Sequence, residues 1–204
     1  MKPIFRLNLS VKNDRAMETN NTLRIIPFCS HKPDKYDDPE HAFYSNWVQS
    51  PFQLNNVHFH SVEQYMMYEK ALLFGDTEVA KTVMSLDYET PDGLPDERWD
   101  SQLKEIKALG RKVNGFDSKV WDTKCYGIVL IGVAAKFKQN KEHLAKLIET
   151  NDALICEAAS YDKIWGIGMN RDDPRVQNPL EWQGKNLLGD CIMFVRNASK
   201  ASIK

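Results

Sequence analysis

The sequence predicts an α+β fold, mostly helical, in a single compact domain with a few short strands. Three observations carry this expectation. Long stretches repeat apolar residues at helical spacing, as in SVEQYMMYEKALLF (61–74) and DSKVWDTKCYGIVLIGVAAKFKQ (117–139). Apolar runs of strand type are short and bounded by Asn, Pro or Gly. The chain has 204 residues, 42% of them hydrophobic, which suffices for one sizeable core. No internal repeat and no low-complexity tract divides it.

The elements follow in order. Residues 1–21 are polar and aperiodic and read as a loose tail, although Ile4, Phe5 and Leu7 are able to form a short docking strand. The domain is expected over 22–204. LRIIPF (23–28) reads as a buried strand, and SHKPDKYDDPEH (30–41), with two prolines, as a loop. Alternation around Asn55 and Asn56 predicts a hairpin that pairs Phe52 and Leu54 with Val57 and Phe59. At Ser61 the period becomes helical, with Ser61 as cap and Gly75 as stop. A second helix opens on Asp76-Thr77 and runs to 86. Residues 87–100 read as a loop ending in a helix start, and 101–113 as a helix broken near Gly110. The long helix 117–139 is expected to turn Val120, Trp121, Ile128, Ile131, Val133, Ala134 and Phe137 to the core. A helix at 141–150, a strand at 153–158 and a final helix at 186–199 complete the chain. The final helix carries Leu187, Leu188, Ile192, Met193 and Val195.

Charge narrows the function. Lys+Arg is 27 and Asp+Glu is 28, a net charge of -1. A protein that coats long DNA or RNA carries a basic excess, so tight binding of long DNA is not expected. A nucleotide-sized ligand or a single modified base remains open, because a local pocket can be basic. Cys29, Cys125, Cys156 and Cys191 show neither CxxC nor zinc spacing, which fits reduced thiols. Charge interrupts the first 21 residues, and no apolar run reaches membrane-spanning length. We expect no membrane partner and a cytoplasmic or other intracellular location, the nucleus included.

Glu63 and Lys70 stand seven residues apart, which on a helix returns to within about 20° of the same face. The rise is ~10 Å, so two long side chains can lean toward one ligand. Spacing alone also fits two unrelated surface charges. However, Tyr65, Met66, Met67 and Tyr68 leave little of this helix for water. A charge on a buried helix needs a partner or a task. A desolvated Lys70 becomes a usable nucleophile.

The stretch EAASYDKIWGIGMN (157–170) puts Glu157, Asp162 and Trp165 beside Gly166 and Gly168. One reading is a ligand wall, with Trp165 stacking and glycine N–H groups meeting a phosphate. The other is an Asx turn with Trp165 as a core plug. Both stay open on the residues alone. In WQGKNLLGD (182–190), Asn186 is placed to cap the last helix, whose N-terminus is either an anion site or a plain cap. His58 and His60 share a strand face, but no third ligand stands near them in sequence, so no metal is expected. Cys156 reads as a small buried hydrophobe. Lys136, Lys138, Lys141 and Lys146 read as a solvated helix face.

Taken together, FYSNW, PFQLNNVHFHSVEQYMMYEKALLFGD, AAKFKQN, EAASYDKIWGIG and WQGKNLLGDCIMFVR resemble, in order and spacing, the successive motifs of the NADAR domain family over about 24–197. The resemblance implies an N-glycosidase that hydrolyses a C–N bond at a ribose anomeric carbon, with no cofactor. It implies ADP-ribosylated guanine in DNA or RNA, or an ADP-ribose-type nucleotide, as partner. The alternatives are early riboflavin-pathway intermediates as substrate, or a module that binds ADP-ribose without chemistry. Carried over residue by residue, Glu63, Lys70 and Asp162 would be catalytic. Ser45, Asn46, Trp165, Gly166, Gly168, Asn186 and Gly189 would hold substrate. Glu157, the second carboxylate of the ligand-wall reading, is either a site residue or a structural one. Ala159 and Tyr161 depart from the pattern common among relatives.

Overall fold

The computed structural model describes residues 23–32 and 41–202. The expected tail and most of the 30–41 loop lie outside these residues. Among the described residues there are four strands, β1 (Ile25–Phe28), β2 (Phe52–Leu54), β3 (Val57–Phe59) and β4 (Leu154–Glu157). Six α-helices accompany them: α1 (Val62–Leu73), α2 (Thr77–Ser85), α3 (Glu97–Arg111), α4 (Ser118–Gln139), α5 (Lys141–Glu149) and α6 (Leu187–Ala201). The α+β, mostly helical expectation holds.

Local chemistry explains the boundaries. Asn55 and Asn56 both adopt positive φ, 51° and 64°, as a two-residue hairpin turn requires. This sets the register Phe52 opposite Phe59 and Leu54 opposite Val57. Ser61 is extended and its hydroxyl accepts from Gln64 N, a cap worth ~1 kcal/mol to α1. Asp76, Asp96 and Asp117 do the same for α2, α3 and α4. The Asp96 cap starts α3 four residues earlier than the apolar spacing suggests, and α3 runs through Gly110 unbroken. Gly110 is needed there because a Cβ would run into the Met67 side chain of α1.

Helix α1 is the centre of the molecule. Its Val62, Glu63, Gln64, Tyr65, Met66, Met67 and Ala71 are buried, and it packs against α2, α3 and α4. β1 and β4 pair in parallel, Ile25 beside Leu154 and Phe28 beside Glu157, although five helices separate them in sequence. Helix α6 covers β4 and α4.

Helix α4 differs from its expected facing. Val120 is 40% and Ile131 52% exposed, while Val129, Val133 and Phe137 are buried. The helix is apolar nearly all round, so periodicity could not pick the buried stripe. The solvated-face reading holds for Lys138, Lys141 and Lys146, which are exposed, and fails at Lys136. It is 1% exposed, and its Nζ donates to the Ser45 carbonyl at 2.9 Å. Burial lowers its pKa to about 7.

Candidate active site

The site starts from two fixed backbones. The first is residues 45–47. Lys136 holds the Ser45 carbonyl, Trp47 N donates to Ser45 Oγ, and Asn46 O accepts from Glu63 N in the first turn of α1. The second is the loop after β4. Asp162 Oδ1 accepts from Ile164 N and Trp165 N at 2.8 Å each, the Asx turn of the second reading. Ile167 N returns to Glu157 O, and Gly168 N to Asp162 O.

Between these backbones, α1 and α3 lies a cavity of about 390 Å³. Ser45, Asn46, Glu63, Lys70, Asp162 and Trp165 all line it. The loop thus satisfies both readings, since Asp162 makes the turn and Trp165 still faces the cavity. Gly166, Gly168, Asn186 and Gly189 do not line the cavity. Their places are structural. A Cβ on Gly166 would sit 2.7 Å from Glu157 O, and one on Gly189 2.2 Å from Ile155 O. Gly168 occupies the turn at φ 68°. Asn186 is the residue before α6 but makes no side-chain cap. It sits at φ 54°, donates to Ile155 O and accepts from Glu157 N.

At the start of α6 the first two N–H groups are already engaged, which does not favour the anion-site reading over the plain end of a helix. The N–H groups of Leu187 and Leu188 donate to Ile164 O and Trp165 O, which ties the α6 start to the loop. Gly168 N–H is engaged as well, so neither of these positions offers free donors to a phosphate.

Sequence reasoning missed several lining residues. Lys107 and Arg111 reach the cavity from α3. A signal was present, because two cations at i,i+4 repel and weaken an isolated helix. Trp47, Trp121 and Tyr161 add aromatic surface. Glu157, for which a site role and a structural role both stand open on the sequence, lines the cavity.

The electrostatics are those of carboxyls kept partly out of water. Glu63 is 4% exposed and its Oε1 has no hydrogen-bond partner. Burial raises its pKa, while Lys107 and a hydrogen bond to Trp47 pull it back. Glu157 Oε2 is likewise buried and unpartnered. Burial, then the charges of Asp162 and Glu63, push its pKa up to about 8. Burial and Arg111 lower the pKa of Lys70, whose Nζ sits 4.1 Å from the Phe116 ring centre and 5.3 Å from that of Trp121. A proton-holding acid, a second carboxyl and an activated amine therefore share one cavity, with cations at its α3 wall.

Comparisons with known proteins give the family and the fold. The chain is 37% identical over 175 residues to N-glycosidase R617 of Acanthamoeba polyphaga mimivirus, covering 83% of this chain and 94% of that protein. It is 32% identical over 136 residues to Protein irg-1 of Caenorhabditis elegans, covering 66% of this chain and 58% of that protein. The fold matches the NMR structure of the E. coli protein YbiA with a TM-score of 0.63 at 22% identity, over 88% of this chain and 86% of that one. The NADAR domain family matches residues 28–199, from the end of β1 almost to the end of α6. Because that span takes in every wall of the cavity, the chain belongs to the NADAR domain family.

Proposed function

We propose that the chain is an N-glycosidase that hydrolyses the bond between a ribose anomeric carbon and a base nitrogen, and that its preferred substrate is ADP-ribose attached to guanine. Family membership and the 37% identity to a viral N-glycosidase support the reaction class. The observation that carries the reading is the pair of buried, unpartnered carboxyl oxygens, Glu63 Oε1 and Glu157 Oε2, on one cavity. A hydrolase of glycosyl bonds needs one carboxyl to give a proton and one to work as an anion. Lys70, Lys107 and Arg111 supply the positive charge that a diphosphate calls for, and Trp47, Trp121 and Trp165 the flat surface that a base calls for.

In this mechanism the protonated Glu157 donates to the guanine nitrogen as the C1″–N bond breaks. Glu63, whose pKa is raised by burial against the opposing pull of Lys107 and Trp47, acts in this path in its ionised form, faces the oxocarbenium-like centre and takes a proton from water. Water oxygen then bonds to C1″. The products are ADP-ribose with a free anomeric hydroxyl at C1″ and guanine with its amine restored. Asp162 fixes the loop that carries Trp165.

A second reading rests on Lys70. Burial and Arg111 lower its pKa, which favours a free amine over an ammonium; as a free amine it would attack C1″ of a ring-opened sugar and displace guanine through a Schiff base that water later releases. Borohydride distinguishes the two. A reduced adduct at Lys70 selects the second path, and activity retained in Lys70→Arg without an adduct removes it.

The primary test is a paired assay of purified protein. One arm holds an oligonucleotide carrying ADP-ribosylated guanine, the other the early riboflavin-pathway aminopyrimidine phosphates. We expect release of ADP-ribose, lost in Glu63→Ala and Lys70→Ala. Cleavage only in the second arm would replace the substrate assignment by the metabolite. Nucleotide binding with no cleavage in either arm would reduce the site to a binding module.

A further inference from the structure

Away from the cavity, the fold assembles a set of metal-type donors that sequence spacing does not reveal. His58 lies on β3 and His60 just beyond it, with ring centres 4.9 Å apart. Glu89 arrives from the segment between α2 and α3. Its Oε1 is 2.5 Å from His60 Nδ1 and 3.4 Å from His58 Nε2. One donor atom from each of the three residues lies within 4.8 Å of the others. Donors bonded to a divalent ion at about 2.0–2.2 Å stand roughly 3–4 Å apart, so small side-chain rotations suffice.

An ordinary His–Glu ion pair would need neither the second imidazole nor a rigid scaffold. Here both sides are fixed by buried or half-buried amides. His60 N donates to Gln64 Oε1, and Gln64 Nε2 donates on to Val83 O and Leu86 O. The His60 carbonyl accepts from Ser50 N. On the other side, Glu89 stands between two clamped neighbours. Tyr88 exchanges both backbone hydrogen bonds with the side chain of Gln102. Thr90 N and Oγ1 donate to Gln49 Oε1, and Gln49 Nε2 donates to Thr90 O. Such outer support holds the Glu89 backbone in place, the condition for a preorganised metal site.

We propose that His58, His60 and Glu89 bind one divalent transition-metal ion, with zinc the best fit to two imidazoles and a carboxylate. The site is a clip between the β2–β3 hairpin and the segment leading to α3. The His58 and Glu89 side chains are half exposed, so the remaining coordination positions open to water. None of the three residues lines the cavity, and the ion has no part in the hydrolysis proposed above.

The test uses untagged full-length protein freed of metal by chelation. Zinc is titrated by calorimetry and cobalt by visible absorption, for wild type, His58→Ala, His60→Ala and Glu89→Gln. We expect one zinc per chain with a micromolar dissociation constant, a rise in thermal midpoint with zinc, and at least tenfold weaker binding in each variant. Glu89→Gln keeps the shape of the side chain, and His58 is half exposed, so these two variants report on ligation even if His60→Ala fails to fold. No heat and no cobalt band at millimolar metal would overturn the proposal. So would zinc binding of unchanged affinity in both His58→Ala and Glu89→Gln, which would move the ion to other donors.

Discussion

In Glu157→Gln an amide of the same shape replaces a carboxyl that the fold keeps protonated near neutral pH. The pKa of Glu157 rises from 4.5 to about 8, chiefly through burial. Between those values the folded chain holds a proton that the unfolded chain has released. Wild-type stability therefore falls as pH climbs from about 4.5, and the fall levels off above about 8. The full span corresponds to roughly 5 kcal/mol. Glu157 is only partly buried and lines the cavity, so solvent screening of the anion trims the effect to about 2–4 kcal/mol. Glutamine carries no charge, and its amide can donate to the neighbouring carboxyls. Urea unfolding at a series of pH values should thus show the variant gaining on wild type by about 2–4 kcal/mol between pH 5 and pH 8.5. The same variant should lose about 100-fold or more in hydrolysis, because an amide cannot supply the proton. The basic limb of the wild-type rate profile, set by Glu157 near pH 8, should vanish with it. A stability difference that stays constant with pH would refute the burial reasoning. A variant that hydrolyses as fast as wild type would refute the role of Glu157 as acid.

Lys136→Met removes a buried ammonium whose pKa of about 7 makes the folded chain bind fewer protons than the unfolded one from pH 7 to 10.5. Wild type therefore gains stability over that window, and the variant's advantage of about 1–3 kcal/mol at pH 6 should shrink by about 1.4 kcal/mol per pH unit above 7. Equal slopes for the two proteins would contradict this. Gly189→Ala forces a Cβ to 2.2 Å from Ile155 O and should cost about 1–3 kcal/mol in chemical denaturation, with an unchanged melting curve as the contrary result. Lys107→Met withdraws a cation that holds the pKa of Glu63 and Glu157 down, so the basic limb of the rate profile should move to higher pH. A limb that stays in place would separate Lys107 from both acids.

What the sequence revealed was local. Asn55-Asn56, the Ser61 and Asp76 caps and the Glu63–Lys70 spacing act through neighbours within a few residues, and each stands where expected. What it hid depends on distant partners. Lys136 reads as a solvated charge because its acceptor, Ser45 O, lies 91 residues away. The role of Glu157 stays open in the sequence because its neighbours Glu63 and Lys107 lie on α1 and α3, far from β4 along the chain. Gly166 and Gly189 carry the family motif, and their lack of a side chain permits close backbone packing against Glu157 O and Ile155 O, partners the motif alone does not name. Val120 and Ile131 show the limit of periodicity in a helix with apolar residues on every side.

The position of Asn186 has a consequence for how the sheet ends. Its Nδ2 bonds Ile155 O and its Oδ1 accepts from Glu157 N, the two groups that a neighbouring strand would engage on β4. One side chain, held at φ 54°, thus imitates a rung of a third strand. Together with Met193 Sδ on Ile155 N and Ile167 N on Glu157 O, this amide uses up the hydrogen-bonding groups of the β4 edge that α6 covers, leaving no rung there for another chain. The same bonds anchor the last residue of β4, Glu157, to the start of α6. The end of the sheet and the aim of a proposed acid therefore share one asparagine.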